Sequence, residues 1–151
     1  GDYVDGDPRY RGRLYRDSSY EGQLELWAEK EYRNLLRANQ ARVPVPSPLQ
    51  QQENLVFMRF MGEHGWPAPQ LKELGLRRGS KHWTHLYSQV MVAVRRLFVS
   101  ARLVHGDLSE SNILVCPAHL VENRDDGAGD GDEDDEEEGS TQAVLIDFAQ
   151  A

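Results

Sequence analysis

Asp107, Asn112 and Asp147 are the residues of this 151-residue chain whose types and spacing could do chemistry. The first two lie in LVHGDLSESNILV, residues 103 to 115, where an apolar run gives way to His, Gly, Asp, Ser, Glu and Asn and then resumes. A carboxylate at 107 can accept or orient the proton of an attacking hydroxyl. A neutral amide oxygen one tight turn later can ligate a hard cation. Asp147 is a second lone carboxylate, delivered at the end of the apolar run Val144-Leu145-Ile146 in VLIDFAQA. Asp, Asn, Ser and Gly are also the ordinary residues of polar connections. Each stretch alone is therefore weak evidence, and the pair carries more than either. If the strands flanking the two stretches form a hairpin, Asp107, Asn112 and Asp147 share one mouth. Few, hard oxygen ligands of this kind, completed by phosphate, suit Mg²⁺.

The elements that must position these residues can be read from periodicity. Residues 1–22, with Pro8 and several glycines, have no sustained period and read as irregular or mobile. From Gln23 a helical pattern begins, with Leu24, Trp27, Ala28 and Leu35 on one face. Glu31 falls on that same face, and a carboxylate facing a core needs a partner. Pairing with Arg33 or Arg37 along the helix is the plain alternative, and Glu29 is the neighbouring candidate. VPVPSP at 43–48 cannot continue a helix. ENLVFMRFMG, 53–62, reads as a strand, and a short helical turn is expected near 69–74. SKHWTHLYSQVMVAVRRLFVSA, 80–101, is the longest helix, capped by Ser80, with Trp83, Leu86, Tyr87, Val90, Val94, Leu97 and Phe98 as its core stripe. A strand at about 112–116 and the segment 143–149 complete the order, with Leu108 and Ile113 expected to anchor the loop in the core.

Composition excludes several classes. The longest apolar stretch falls far short of the roughly 20 residues of a membrane span, so no membrane partner is expected. A single cysteine and five scattered histidines give neither an internal disulfide nor a metal cluster. Cys116 reads as a buried strand-end thiol, and a reducing, intracellular setting is expected. The formal net charge of −8 is concentrated in ENRDDGAGDGDEDDEEE, 122–138, which holds eleven acids and one arginine. The remainder is close to neutral and argues neither for nor against nucleic acid. Residues 117–142 read as a solvated, disordered insertion between the two strands, without the spacing of a Ca²⁺ loop.

The quoted stretches resemble a known pattern. LVHGDLSESN is similar to the catalytic loop H-R-D-L-x-x-x-N of protein kinases, with Gly106 in place of Arg, and LIDFAQA resembles their D-F-G segment. With WAEKEYRNL and FMGEHGWPAPQLKEL added, the chain resembles the RIO family of atypical protein kinases, most closely its Rio-one branch. The resemblance implies an α+β, two-lobe protein-kinase-like fold, here partial. Residues 23–60 would hold the remainder of the N-lobe, with an αC-like helix and the hinge strand. Residues 61–151 would hold part of the C-lobe, with its long helix, catalytic loop and metal-site hairpin.

The same resemblance implies a non-specific serine/threonine kinase or ATPase that uses ATP and Mg²⁺ on a protein substrate. Asp107 would be the catalytic base, and Asn112 and Asp147 the metal ligands, with Asp147 also a candidate phosphoryl acceptor. Met58, Arg59 and Phe60 match the hinge that meets adenine, Ser109 and Glu110 match positions beside the phosphates, and Glu31 matches the partner of the nucleotide-binding Lys. The implied partners are a pre-small-subunit ribosomal particle or its assembly factors. The implied location is cytoplasmic, with shuttling to the nucleus.

Some positions depart from the family pattern. Arg59 stands where Glu is usual, Ser111 where an aromatic is usual, and DFAQA replaces D-V-S-Q-S. Neither a glycine-rich loop nor a Val-Ala-x-Lys strand is found in the sequence. The expectation is therefore a fragment that is inactive alone, within a longer, competent protein. Two rivals share some of these features. Small-molecule phosphotransferases of the aminoglycoside or choline type also use His-Gly-Asp-Leu, but usually carry His-Pro-Gly or similar where this chain has Ser109-Glu110-Ser111. A non-catalytic, kinase-like scaffold would not need Asp107, Asn112 and Asp147 intact.

Overall fold

In the computed structural model, residues 20–125 and 141–151 are described. Residues 1–19 of the irregular segment expected over 1–22 and the centre of the acidic insertion, 126–140, lie outside them, whereas residues 20–22 are helical. Helix α1 spans Tyr20–Gln40, starting earlier than the periodicity suggests. Its sequence contains no Pro and no β-branched residue, and is rich in Leu, Glu, Arg and Ala. It ends where Arg42 turns left-handed (φ 62), so that Val43 N–H donates to the Ala38 carbonyl and Arg42 N–H to that of Asn39. This pair of bonds satisfies the last carbonyls of the helix and tucks Val43 into the core. The buried face of α1 is formed by Leu26, Ala28, Lys30, Asn34, Leu35 and Ala38. Trp27, expected inside, is 42% exposed. The true face is rotated because buried Lys30 and Asn34 occupy positions that an apolar count passes over.

The single strand expected over 53–62 is instead half of a hairpin. Strand β1, Pro48–Gln52, pairs antiparallel with β2, Leu55–Met58. PLQQQ has no apolar alternation, so only the second strand shows in the sequence. A smaller hairpin follows, β3 (Gly62–Glu63) with β4 (Trp66–Pro67). Its two-residue turn, His64-Gly65, has both φ angles positive, the twist that suits tight hairpins. A single 3₁₀ turn at Leu71–Glu73 then leads to helix α2, Lys81–Val99. The Ser80 hydroxyl accepts the Trp83 N–H at 3.2 Å, as the cap reading expects. The buried arc of α2 is Leu86, Gln89, Val90, Ala93 and Leu97. Tyr87 lies outside this arc, stacked on half-buried Trp83, and Phe98 is 63% exposed.

Strands β5, Ile113–Pro117, and β6, Thr141–Leu145, form the antiparallel hairpin that carries the site. Side chains alternate across its two faces. Ile113 and Val115 join Ala143 and Leu145 in the main core with Leu35, Val43, Leu86 and Leu97. Cys116 and Val144 pack on the other side with Met61 and Val121. Burial pushes the Cys116 thiol up to about 12, in keeping with a structural role. Proline-rich segments flank the hairpin: Leu145 N–H donates to Pro44 and Val115 N–H to Pro69, both at 2.9 Å. Proline has a carbonyl to accept such bonds and no N–H to leave unpaired.

Residues 117–125 and 141–142, expected to be disordered, are part of the ordered fold. Ala118–Leu120 form a 3₁₀ turn and Val121 is buried. Asn123 donates to the Asn39 side chain at 3.0 Å, and Asp125 pairs with Arg96 at 3.0 Å. Buried Gln89 ties α2 to β6, accepting the Ala143 N–H at 2.8 Å and donating to the Thr141 carbonyl at 3.0 Å. Leu86→Ala is expected to cost about 2–5 kcal/mol in denaturant unfolding of the protein. Gln89→Ala, which leaves the buried Ala143 N–H and the partly buried Thr141 carbonyl without this partner, is expected to cost roughly 1–3 kcal/mol in the same measurement.

Candidate active site

The loop between α2 and β5 holds Asp107 and Asn112, and the turn after β6 holds Asp147. Their backbones are joined: Ile146 N–H donates to the Asn112 carbonyl at 3.0 Å, and the Ile146 carbonyl lies 2.8 Å from His105 Nε2. Asp107 N–H donates to His105 Nδ1 at 3.2 Å, which makes Nδ1 the acceptor and Nε2 the donor. Buried His105 thus fixes the start of the loop with both ring nitrogens, and its ring packs on Phe148 at 5.1 Å.

Asn112 Nδ2 donates to the Asp107 carbonyl at 2.9 Å and lies 3.4 Å from its carboxylate. With the nitrogen so held, the amide oxygen is the atom left to meet a cation. Asp147 has a left-handed backbone (φ 63), a conformation that Asp tolerates better than most residues and that recurs at functional sites. The donor set, two exposed carboxylates and an amide oxygen, is all hard oxygen. Among the described residues no group of three or more His, Cys, Asp or Glu could hold a metal. The smaller set of two carboxylates and one amide oxygen fits Mg²⁺, which takes one or two carboxylates and completes its shell from phosphate and water.

Gly106 has a local explanation. Its φ is +84, and a Cβ there would lie 2.8 Å from the Gln150 carbonyl oxygen. The turn after Asp147 therefore packs directly on the backbone before Asp107, and only glycine allows the approach.

Glu31 belongs to this site electrostatically. Its carboxyl is held above the usual range, first by burial and then by the charge of Asp147. The partners that would have made it an ordinary surface residue are engaged elsewhere. Arg33 pairs with Glu29 at 2.8 Å, and Arg37 donates to the Ala101 carbonyl. None of the ion pairs among the described residues involves Glu31, Asp107 or Asp147.

The remaining candidates are more dispersed. The Ser109 carbonyl accepts the Asn112 N–H at 2.9 Å, and its hydroxyl accepts from Ser111 N–H. The Glu110 carbonyl accepts the Lys72 N–H, and Glu110 lines a groove of about 320 Å³ with Leu71, Trp83, Tyr87 and Met91. Met58 ends β2, and Arg59 N–H is taken by the Ser47 carbonyl at 2.8 Å. Among the described residues no hydrogen bond joins Met58, Arg59 or Phe60 to the Asp107 loop. Leu108, expected as an anchor, is 37% exposed, whereas Ile113 is buried. Asn34 was missed as a site residue, though it lies one helical turn after Glu31. Its side-chain nitrogen donates to the carbonyls of Phe148 at 3.1 Å and Ala151 at 3.2 Å.

With this geometry in place, comparisons with known proteins are informative. A family model for the RIO domain matches residues 1–121. Serine/threonine-protein kinase RIO1 of Homo sapiens is 41% identical over 112 residues, 74% of this chain and 19% of that protein. The RIO-type serine/threonine-protein kinase Rio1 of Methanocaldococcus jannaschii is 38% identical over 113 residues, 75% of this chain and 36% of that protein. The crystal structure of the Rio2 kinase-ADP/Mg²⁺-phosphoaspartate complex from Chaetomium thermophilum superposes with a TM-score of 0.58 at 21% identity, over 91% of this chain and 36% of that one, which shows a shared fold. The chain thus spans between 19% and 36% of the length of these relatives. The family match covers the Asp107–Asn112 loop and stops before β6, while the hairpin itself brings Asp147 to that loop, and the chain belongs to the RIO family of protein kinases.

Proposed function

We propose that the protein carrying this chain is an ATP- and Mg²⁺-dependent serine/threonine kinase or ATPase of RIO type. The observation that carries the reading is the bonded path Asp107–Asn112–Ile146, which holds a potential base and two potential metal ligands on adjacent backbones. Asp107 would orient the attacking hydroxyl and take its proton. Asn112 and Asp147 would hold Mg²⁺, which when bound neutralises charge on the transferred phosphoryl group. Asp147 would, in an alternative branch, attack the phosphoryl group itself. In that branch a carboxylate oxygen forms the new P–O bond, ADP leaves, and water later releases phosphate. The Rio2 structure is named for a phosphoaspartate, which supports considering this branch here. The backbone of Met58–Phe60, at the end of β2 and beyond it, would meet adenine, and Ser109 and Glu110 would lie beside the phosphates. By the same resemblance the protein would act on pre-small-subunit ribosomal particles or their assembly factors, in the cytoplasm and with access to the nucleus.

Gly106 was the residue that most favoured a small-molecule phosphotransferase. Its contact with Gln150 gives it a purely local reason, so it no longer distinguishes the two readings.

Three outcomes are expected with the intact protein. Asp147→Asn should abolish Mg²⁺-dependent ATP turnover, measured as phosphate release, while ADP binding without metal persists. Persistent turnover in that variant would refute the assignment of Asp147. Asp107→Asn should lower protein phosphorylation by about 10²-fold or more, the scale of a lost general base.

Glu31→Gln should act in opposite directions on stability and activity. The raised carboxyl of Glu31 means that its charged form is disfavoured in the fold. Its contribution therefore turns unfavourable as pH rises through the carboxylate range, and the cost is absent at acid pH where the group is protonated in both states. In this chain by itself, with no ammonium at Glu31, the variant should melt higher than wild type at neutral pH, and the gain should vanish toward acid pH. In the intact protein turnover should nevertheless fall, on the order of 100-fold, if Glu31 orients the nucleotide Lys. A loss in both properties would mark Glu31 as merely structural.

A further inference from the structure

The turn from Asp147 to Ala151 is gripped from one side by the catalytic loop. The other side is held by a single side chain of α1. Asn34 is 3% exposed, and its one amide nitrogen reaches two carbonyls, those of Phe148 and Ala151. Both partners are acceptors that cannot donate through oxygen, so the side chain must present its NH₂ group and both hydrogens are used. Ala151 N–H in turn donates to Phe148 O at 3.3 Å, so the amide closes a small ring of backbone around the residues just after Asp147. Phe148 is itself buried in the main core beside Leu35, the residue next to Asn34.

Asp147 needs this support. Its left-handed backbone (φ 63) is a conformation that persists only when the surroundings determine it. From the loop side, His105 and Asn112 fix Ile146, just before Asp147. From the helix side, Asn34 fixes Phe148, just after it. The carboxylate is therefore bracketed by one residue on each side, and only the second bracket comes from α1. Any shift or rotation of α1 would move the Phe148 carbonyl and with it the direction of Asp147.

We infer that Asn34 is a positioning residue: it couples the placement of α1 to the metal-binding geometry of Asp147. This rests on the metal role of Asp147 proposed above. Removing the partners that orient a metal ligand typically costs about 10- to 100-fold in metal affinity. A purely structural asparagine would instead weaken every ligand alike or destabilise the fold without changing the metal dependence.

The test uses the intact protein and Asn34→Ala, with Asn34→Leu as the volume-preserving variant that lacks donors should the alanine protein fold poorly. ADP affinity is measured by calorimetry with and without Mg²⁺, and backbone amide exchange is followed over residues 146–151. The expected result is unchanged metal-free ADP binding, about 10-fold weaker binding of ADP in the presence of Mg²⁺, and faster exchange at Ala151 with α2 protection unaltered. Equal weakening with and without Mg²⁺, or no change in either, would overturn the proposal. Wild-type protein that binds ADP no better with Mg²⁺ would overturn the metal-site reading itself. The exchange data would then still show whether Asn34 holds the turn, which separates the two failures.

Discussion

Ile146 is the point on which the site hangs. Its N–H is given to Asn112 and its carbonyl is taken by His105, so one residue of the β6 exit satisfies both ends of the Asp107 loop. Backbone groups withdrawn from water must find partners, and here the partners lie in the segments that carry Asp107, Asn112 and Asp147. The consequence is mechanical. The two polar segments cannot drift apart without leaving the half-buried Ile146 amide unpaired and breaking the contact of His105 with Phe148. The hydrophobic hairpin beneath them turns that local fixing into a rigid base, because both of its faces are covered by core side chains.

The electrostatics run against the packing. Asp107, Asp147 and Glu31 place three carboxylates in one region, and Glu31 already feels Asp147 as an unfavourable neighbour. A fold does not gather like charge for stability, since the repulsion strengthens as water is excluded. The arrangement makes physical sense where cations complete it. A divalent ion across Asn112 and Asp147 and an ammonium group at Glu31 would reverse the sign of the interaction. The burial and the Asp147 charge that disfavour the ionised Glu31 would then be offset by its cationic partner.

Much of this was legible in the sequence, for identifiable reasons. The Asp107–Asn112 loop and the β6 exit stood out because polar residues of restricted types interrupt strong apolar runs. Helix α2 was visible because Ser80 caps a long periodic stretch, and so was most of its face, with Leu86, Val90, Val94 and Leu97 in or against the core, though Tyr87 and Phe98 lie outside it and Gln89 sits at its centre. Strand β1 was invisible because PLQQQ offers no alternation, its order coming from pairing with β2. Asn34 escaped notice because a lone asparagine mid-helix reads as a poor helix former. The available signal was positional: it sits between Glu31 and Leu35 on a face otherwise buried. Leu108 misled in the opposite way, as an apolar residue at a motif position that the fold leaves largely open.

The acidic insertion shows how such a site can carry a long excursion between its two strands. Its roots are tied at the base. Asp125 N–H donates to the Gln142 side chain at 2.8 Å, and Gln142 is buried in β6 opposite Cys116. Asp125 also reaches Arg96 of α2, and Asn123 reaches back to Asn39 at the end of α1. The excursion therefore leaves and re-enters at points already held together by the fold. Closing a loop on fixed ends costs free energy that grows only as the logarithm of its length, roughly 0.6 kcal/mol per doubling. Because that cost falls at the far end of the hairpin, beyond Cys116 and Gln142, the register that sets Asn112 against Ile146 does not depend on what the inserted residues do.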